Sequence, residues 1–137
     1  MRKLVLSLLA AMLERWSEAK IERRFGSQAG LRAIFTIMAR SFVPSAAPGF
    51  EGCLAYELTF PATQRPPARW SLHVAGGRAR PRPGACRPAA LTLRLQLGDF
   101  LRIGAGLLDP VTPILQGRGT VEGPLELALR MPAMFGA

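Results

Sequence analysis

The chain has 137 residues, of which 49% are hydrophobic and 20% charged, and it carries a formal charge of +9. That length is one domain's worth of polypeptide, able to bury about two-thirds of its surface on folding, and that composition excludes a disordered tail. Only Lys3 and Lys20 among the 18 basic residues are lysine, so the basicity is mostly arginine. The first stretch opens with Arg2, Lys3 and the apolar run LVLSLLAAML, which resembles the first two parts of a secretory signal. No small-residue cleavage site follows, because the chain continues ERWSEAKIERR, and the apolar run is too short to cross a bilayer. Val5, Leu8, Leu9, Met12, Leu13 and Trp16 recur at the spacing of one helix face that continues to Ile21. Residues 1–24 are therefore predicted as one uncleaved amphipathic helix, lying on the domain, on a partner or on a membrane surface.

Residues 27–137 read as a single domain. Ser27 is placed to cap a second helix whose Leu31, Ile34, Phe35, Met38 and Phe42 share a face, ending before Pro44. VPSAAPG is a linker. Gly52 to Phe60 is a strand, with Leu54, Tyr56, Leu58 and Phe60 on one side and Cys53, Ala55, Glu57 and Thr59 on the other. PATQRPPAR reads as a proline-rich loop, and Arg69 to Ala75 as the next strand, with Trp70, Leu72 and Val74 on one face. Gly76-Gly77 suits a tight hairpin. The strand after it contains Pro81 and Pro83, which remove ladder donors and confine it to an edge. Leu91, Leu93, Leu95 and Leu97 alternate with Thr92, Arg94 and Gln96 as a further strand. Asp99 is predicted to cap a short helix carrying Phe100, Leu101, Ile103 and Leu107. Asp109 and Pro110 open another with Val111, Ile114 and Leu115. Gly117 to Gly123 contains one short strand. Pro124 starts a last helix with Leu125, Leu127, Ala128, Leu129 and Met131, which Pro132 bends or ends. These apolar residues exceed what a small solid core needs, which points to a cavity.

Reactive chemistry is poorly supplied. Cys53 and Cys86 are too few for a zinc site on their own, and the one histidine, His73, does not complete a usual ligand cluster, so no metal is expected. The cysteines would pair only if their strands are adjacent, and two reduced thiols are the favoured reading. His73 is predicted on the strand face opposite Trp70, Leu72 and Val74, with no serine in a nucleophile elbow. Asp99 and Asp109 are accounted for as caps. QGRGTVEG lacks both the spacing and the lysine of a phosphate loop. The charge is more informative: no acidic residue lies between Glu57 and Asp99, while Arg65, Arg69, Arg78, Arg80, Arg82, Arg87 and Arg94 all do. Arg78, Arg80 and Arg82 alternate along one side of the edge strand. Such a stripe fits anionic lipid headgroups or the phosphates of an acyl-coenzyme A. Nucleic acid is not expected, because the region offers only an inward-facing Trp70 for base stacking.

The order W-x-L-x-V (Trp70, Leu72, Val74), a glycine pair, LTLRLQLGDFLRIGAGLLDP and QGRGTVEGPLELALRMPAMFG resembles the sterol carrier protein 2 family of lipid-binding domains over about Phe50 to Gly136. Gly123-Pro124 departs from the glycine followed by Asp or Asn common there. The resemblance implies an α+β fold, with a single mixed or antiparallel sheet of about five strands, helices covering one face, and an apolar cavity between them. It implies a non-enzymatic carrier of a fatty acyl chain, acyl-CoA, sterol or isoprenoid, without a cofactor. Leu54, Tyr56, Leu58, Trp70, Leu72, Leu91, Leu93 and Leu95 would floor the tunnel. Phe100, Ile103, Leu107, Val111, Ile114, Leu115, Leu127, Met131, Met134 and Phe135 would roof it, with the methionines adapting to ligand shape. Arg78, Arg80 and Arg82 would meet an anionic headgroup. The second reading is an accessory domain that docks a partner enzyme, for example in isoprenoid quinone or lipid metabolism, through the N-terminal helix and the arginine edge. The C-terminal Phe-Gly-Ala is no peroxisomal address, so the expected location is the cytoplasm, at most peripheral to a membrane.

Overall fold

The computed structural model describes residues 2–135, with side chains from Ser7 onward, so Val5 of the predicted helix face and the last two residues lie outside the described side chains. At its centre is a five-stranded mixed sheet with the strand order β3-β2-β1-β4-β5. The strands are β1 (Gly52–Phe60), β2 (Arg65–Ala75), β3 (Arg78–Pro83), β4 (Leu91–Gln96) and β5 (Thr120–Glu122). Helices α1 (Arg2–Arg15), α2 (Glu18–Phe25), α3 (Gln28–Arg40), α4 (Leu97–Gly104), α5 (Thr112–Leu115) and α6 (Leu125–Met134) complete the α+β fold. β1 runs parallel to β4, and the other neighbouring pairs are antiparallel.

Period-two alternation gives the sheet two unlike faces. The register sets Leu54 beside Leu72 and Leu91, Tyr56 beside Trp70 and Leu93, and Leu58 beside Leu95 on the inner face. Leu13, Ile21, Leu31, Phe35, Phe100, Leu101, Met131 and Met134 come down from the helices to join them in one core. On the outer face Cys53 stands opposite His73, Ala55 opposite Ser71, and Glu57 opposite Arg69 and Arg94. Glycines Gly76 and Gly77, at φ of 59° and 74°, close the β2–β3 hairpin in the left-handed conformation its tight turn requires.

Five predicted elements differ in detail, each for a local reason. The single helix over 1–24 is two helices. The Ser17 hydroxyl accepts a hydrogen bond from the Lys20 amide at 3.2 Å and restarts the chain as α2, with Glu18 in the favourable first turn. This break lets both Leu13 and Ile21 reach the core. The predicted loop before Trp70 is largely strand: β2 begins at Arg65, where its β3 side is open and Pro66 and Pro67 fall at an irregularity in the pairing with β1. Asp99 does not cap α4, because the strand passes into the helix at Leu97 with Gln96 as the N-cap; Asp99 sits buried in the first turn and receives Arg118 at 3.0 Å. The Asp109 carboxylate accepts from the Val111 amide at 2.8 Å, and the helix starts later, at Thr112. α6 runs through Pro132, which gives up one ladder bond, and ends at Met134.

α2 is fastened to the sheet by a buried carboxylate. Glu22 accepts from the Ala62 and Thr63 amides at 3.0 and 2.9 Å and from the Thr63 hydroxyl at 2.7 Å, holding the β1–β2 turn. Arg65 reaches back to the Gly26 carbonyl at 2.9 Å. A side chain at Gly26 would collide with the Glu22 carbonyl and the Phe60 ring, so this corner needs glycine. Glu18 and Arg102 form an ion pair between α2 and α4.

Candidate functional site

The inner layer is an aromatic cluster built on β1, β2, α3 and α4. Phe35 stacks on Trp70 with centroids 5.2 Å apart and on Phe100 at 5.6 Å, and meets Tyr56 edge-on at 5.2 Å. Tyr56 and Phe100 touch edge-on at 5.6 Å. The Arg32 guanidinium lies over the Trp70 ring, 5.6 Å from its centroid. The Tyr56 hydroxyl is the one buried side-chain polar atom without a hydrogen-bond partner among the described residues. Burial pushes its phenol well above the usual tyrosine range. A buried hydroxyl with no partner is costly and uncommon.

Of the predicted lining, Leu54, Tyr56, Leu58, Trp70, Leu72, Phe100, Met131 and Met134 are buried together in this layer. Leu93, Ile103, Leu127 and Phe135 are half-buried and pack on its margin with Val121. Val111 and Ile114 are half-buried. Leu107 and Leu115 do not join the roof: Leu107 is 41% exposed just after Gly106 turns the chain away, and Leu115 is 80% exposed at the end of α5, which buries Pro113 instead. Phe35, which links the predicted floor to the roof, was legible only as a residue of a helix face. Floor and roof side chains meet across the layer. Among the described residues, one cleft opens on the outer face and another beside Phe42 and Phe50 at the Gly76-Gly77 turn.

The outer face is polar and crossed by a strap. To pass from edge strand β3 to β4, residues 84–90 travel over β2 and β1, held by the Gly84 amide on the Arg69 carbonyl and the Ala90 amide on the Cys53 carbonyl, both at 2.8 Å. This path lays Cys86 over Cys53, and the two form a disulfide. The expectation of two reduced thiols is thus corrected; the residues are brought together by a crossover whose course no local pattern reveals. His73, opposite Cys53 in the register, has Nε2 3.7 Å from the Cys53 sulfur and 3.2 Å from the Ser71 hydroxyl. A cleft of about 540 Å³ opens beside the strap, lined by Glu57, Arg69, Cys86, Arg87, Thr92 and Glu122 among others. Glu57 pairs with Arg69 at 2.8 Å and Arg94 at 3.2 Å. Arg78, Arg80 and Arg82 stand exposed along β3 opposite Ala75, His73 and Ser71, and among the described residues none of them has a carboxylate partner.

A five-stranded mixed sheet with an aromatic and aliphatic layer beneath helices defines the class: a small α+β domain. The chain belongs to the SCP-2 sterol transfer family, whose model matches residues 43–136, and this places it with proteins of lipid binding or transfer in general. No curated protein matches the sequence. Among solved structures, sterol carrier protein 2 from Yarrowia lipolytica, in its apo form, superposes with a TM-score of 0.59 at 16% identity, over 76% of this chain and 91% of that one. Palmitated SCP2L2 from Aedes aegypti gives 0.57 at 19% identity, over 76% and 91%. The stereoselective inverting sec-alkylsulfatase from Pseudomonas sp. gives 0.62 at 21% identity over 76% of this chain, which spans only 16% of that enzyme's length. At these identities the likeness is one of fold. Among the described residues, no helix is long and apolar enough to cross a membrane.

Proposed function

We propose that this chain binds a single apolar lipid chain, without catalysing a reaction on it, in the layer between the inner sheet face and the helices. The observation that carries the reading is the partnerless Tyr56 hydroxyl, buried in an otherwise apolar layer. It offers one hydrogen bond to a guest that is hydrocarbon along its length and carries an oxygen at one end, as a fatty acid or sterol does. Each methylene so buried contributes roughly 0.8 kcal/mol, so such a ligand needs little polar chemistry. The guest would lie among Leu54, Tyr56, Leu58, Trp70, Leu72, Leu93 and Phe100 below and Ile103, Leu127, Met131, Met134 and Phe135 above. It enters by parting the half-buried margin of Leu93, Ile103, Leu127 and Phe135, behind which the flexible buried methionines Met131 and Met134 repack. Arg78, Arg80 and Arg82 favour anionic headgroups and thereby donation from an anionic membrane surface.

Titration of the full chain with a fluorescent fatty acid tests this. Saturable uptake of one equivalent is expected, and Leu127→Arg, which sets a charge on the half-buried margin, should weaken it at least tenfold. Uptake that never saturates would sink the reading. The arginine edge also favours a second reading, an accessory domain that docks an acidic surface of a partner enzyme; it gains ground if uptake fails while the charged edge still retains anionic vesicles.

A further inference from the structure

We infer that Cys53, His73 and Cys86 form a metal site, opened when their disulfide is reduced, that takes one thiophilic d10 cation such as Zn(II) or Cu(I). Their ligand atoms all lie within 4.8 Å of one another. The first two come from paired positions on adjacent strands, so the sheet itself fixes their spacing. The third comes from the strap, whose two ends are held by backbone hydrogen bonds that do not depend on the sulfur–sulfur bond. The fold therefore holds the three residues side by side before any metal arrives, and reduction lets the two sulfurs part.

Its dimensions fit. A cation held about 2.3 Å from a thiolate sulfur and about 2.0 Å from an imidazole nitrogen keeps those two atoms roughly 3.5–3.7 Å apart at tetrahedral to trigonal angles. The Cys53 sulfur and His73 Nε2 are 3.7 Å apart. Two thiolates and an imidazole are a soft donor set, which selects these cations over magnesium or calcium. The surroundings supply the charge: Arg80 stands opposite His73 in the register and Arg87 follows Cys86, and neither has a carboxylate partner among the described residues. Cys53 is buried, whereas Cys86 lines the open cleft, which is the path for reductant and cation.

The chemistry balances with a dithiol as co-reactant. The dithiol gives two electrons and two protons to the Cys53–Cys86 bond and becomes a disulfide itself, leaving two protein thiols. The cation then displaces both thiol protons and takes the Nε2 lone pair, with the ring proton on Nδ1 and the Ser71 hydroxyl released from Nε2. In an oxidising compartment the disulfide clamps the strap; in a reducing one the cation does. The site lies on the sheet face opposite the proposed lipid layer, so the two readings stand or fall separately.

The test uses the full chain, reduced with a dithiol that is then removed under anaerobic conditions. Zn(II) is titrated against a chromophoric chelator, and Cu(I) in a second series. One equivalent of cation is expected to bind the reduced chain, with release of two protons per Zn(II), and at least a hundredfold more weakly to the oxidised chain. Cys86→Ser should abolish stoichiometric binding. His73→Gln, on a half-exposed outer-face position whose replacement leaves the core intact, should weaken it at least tenfold with an unchanged circular dichroism spectrum. Equal affinity of the reduced and oxidised chains overturns the inference, and so does a folded His73→Gln chain that binds as tightly as the parent.

Discussion

The two faces of one sheet are held by different means, and β1 contributes to both. Inward, Leu54, Tyr56 and Leu58 meet Phe35, Trp70 and Phe100 in an apolar layer, where cohesion is burial and ring contact. Outward, Cys53 and Glu57 are engaged by named distant partners: a disulfide to the strap and two arginines. A non-directional layer tolerates a guest that replaces one set of apolar contacts with another, whereas a face of directional bonds does not. Removal of the ring at the centre of the inner layer should break this contrast most. Phe35→Ala is expected to cost about 3–5 kcal/mol, as for other buried aromatics. Arg94→Ala on the outer face should cost under about 1 kcal/mol, as for an exposed ion pair. Urea midpoints of the two variants measure the difference, and equal costs would erase the distinction.

The strongest constraint on the outer face is covalent. Cys53 and Cys86 are 33 residues apart, and closing a loop of that length stabilises the folded state by about 3–4 kcal/mol through the unfolded ensemble. Reduction of the full chain should lower the thermal midpoint accordingly, and added Zn(II) should recover part of the loss. If reduction leaves the midpoint unchanged, the strap is held by its backbone hydrogen bonds alone.

What the sequence disclosed follows the same division. Period-two leucines and the Gly76-Gly77 pair located the inner face, the hairpin, both boundaries of β1 and the start of β4, because alternation and turn chemistry are local. Ser27 capped α3 as expected, its hydroxyl accepting from the Gly30 amide at 3.0 Å. The face of His73 was legible, but the long-range partners were not, because they come from afar. Cys86 reaches Cys53 only through the crossover path, His73 joins them by cross-strand register, and Asp99 finds Arg118 rather than capping its own helix. Leu107 and Leu115 carried the right hydrophobicity but follow turns that local periodicity does not orient.

A smaller effect sharpens the account of the inner layer. Tyr56 is the only tyrosine, so its ionisation is visible without interference. Its folded-state pKa is raised by burial, so the stability it permits is fully present below the unfolded tyrosine value near 10 and is lost as pH rises above it. Phenolate absorbance should therefore appear only together with unfolding. Tyr56→Phe deletes an unpaired hydroxyl and is expected to raise stability by about 1 kcal/mol. It should also extend stability to higher pH and lower the preference for fatty acids over hydrocarbons of equal length. A phenolate that forms in the folded chain would mean that the hydroxyl is open to water and no polar handle for a buried guest.

The least change in stability is expected at the β3 edge, where contact with the core is slightest. Arg78→Ser, Arg80→Ser and Arg82→Ser are each expected to shift stability by no more than about 0.5 kcal/mol, as exposed substitutions do. Adsorption is a different matter, because each guanidinium near an anionic surface contributes about 1 kcal/mol. The triple variant should lose most of its retention on phosphatidylserine vesicles at low salt while taking up fluorescent fatty acid from solution as before. Raising the ionic strength should bring the parent chain down to the level of the variant, since screening acts on exposed charges first. Should the triple variant adsorb as well as the parent, the outer face is not what meets the membrane, and donation must proceed from the half-buried margin of the inner layer.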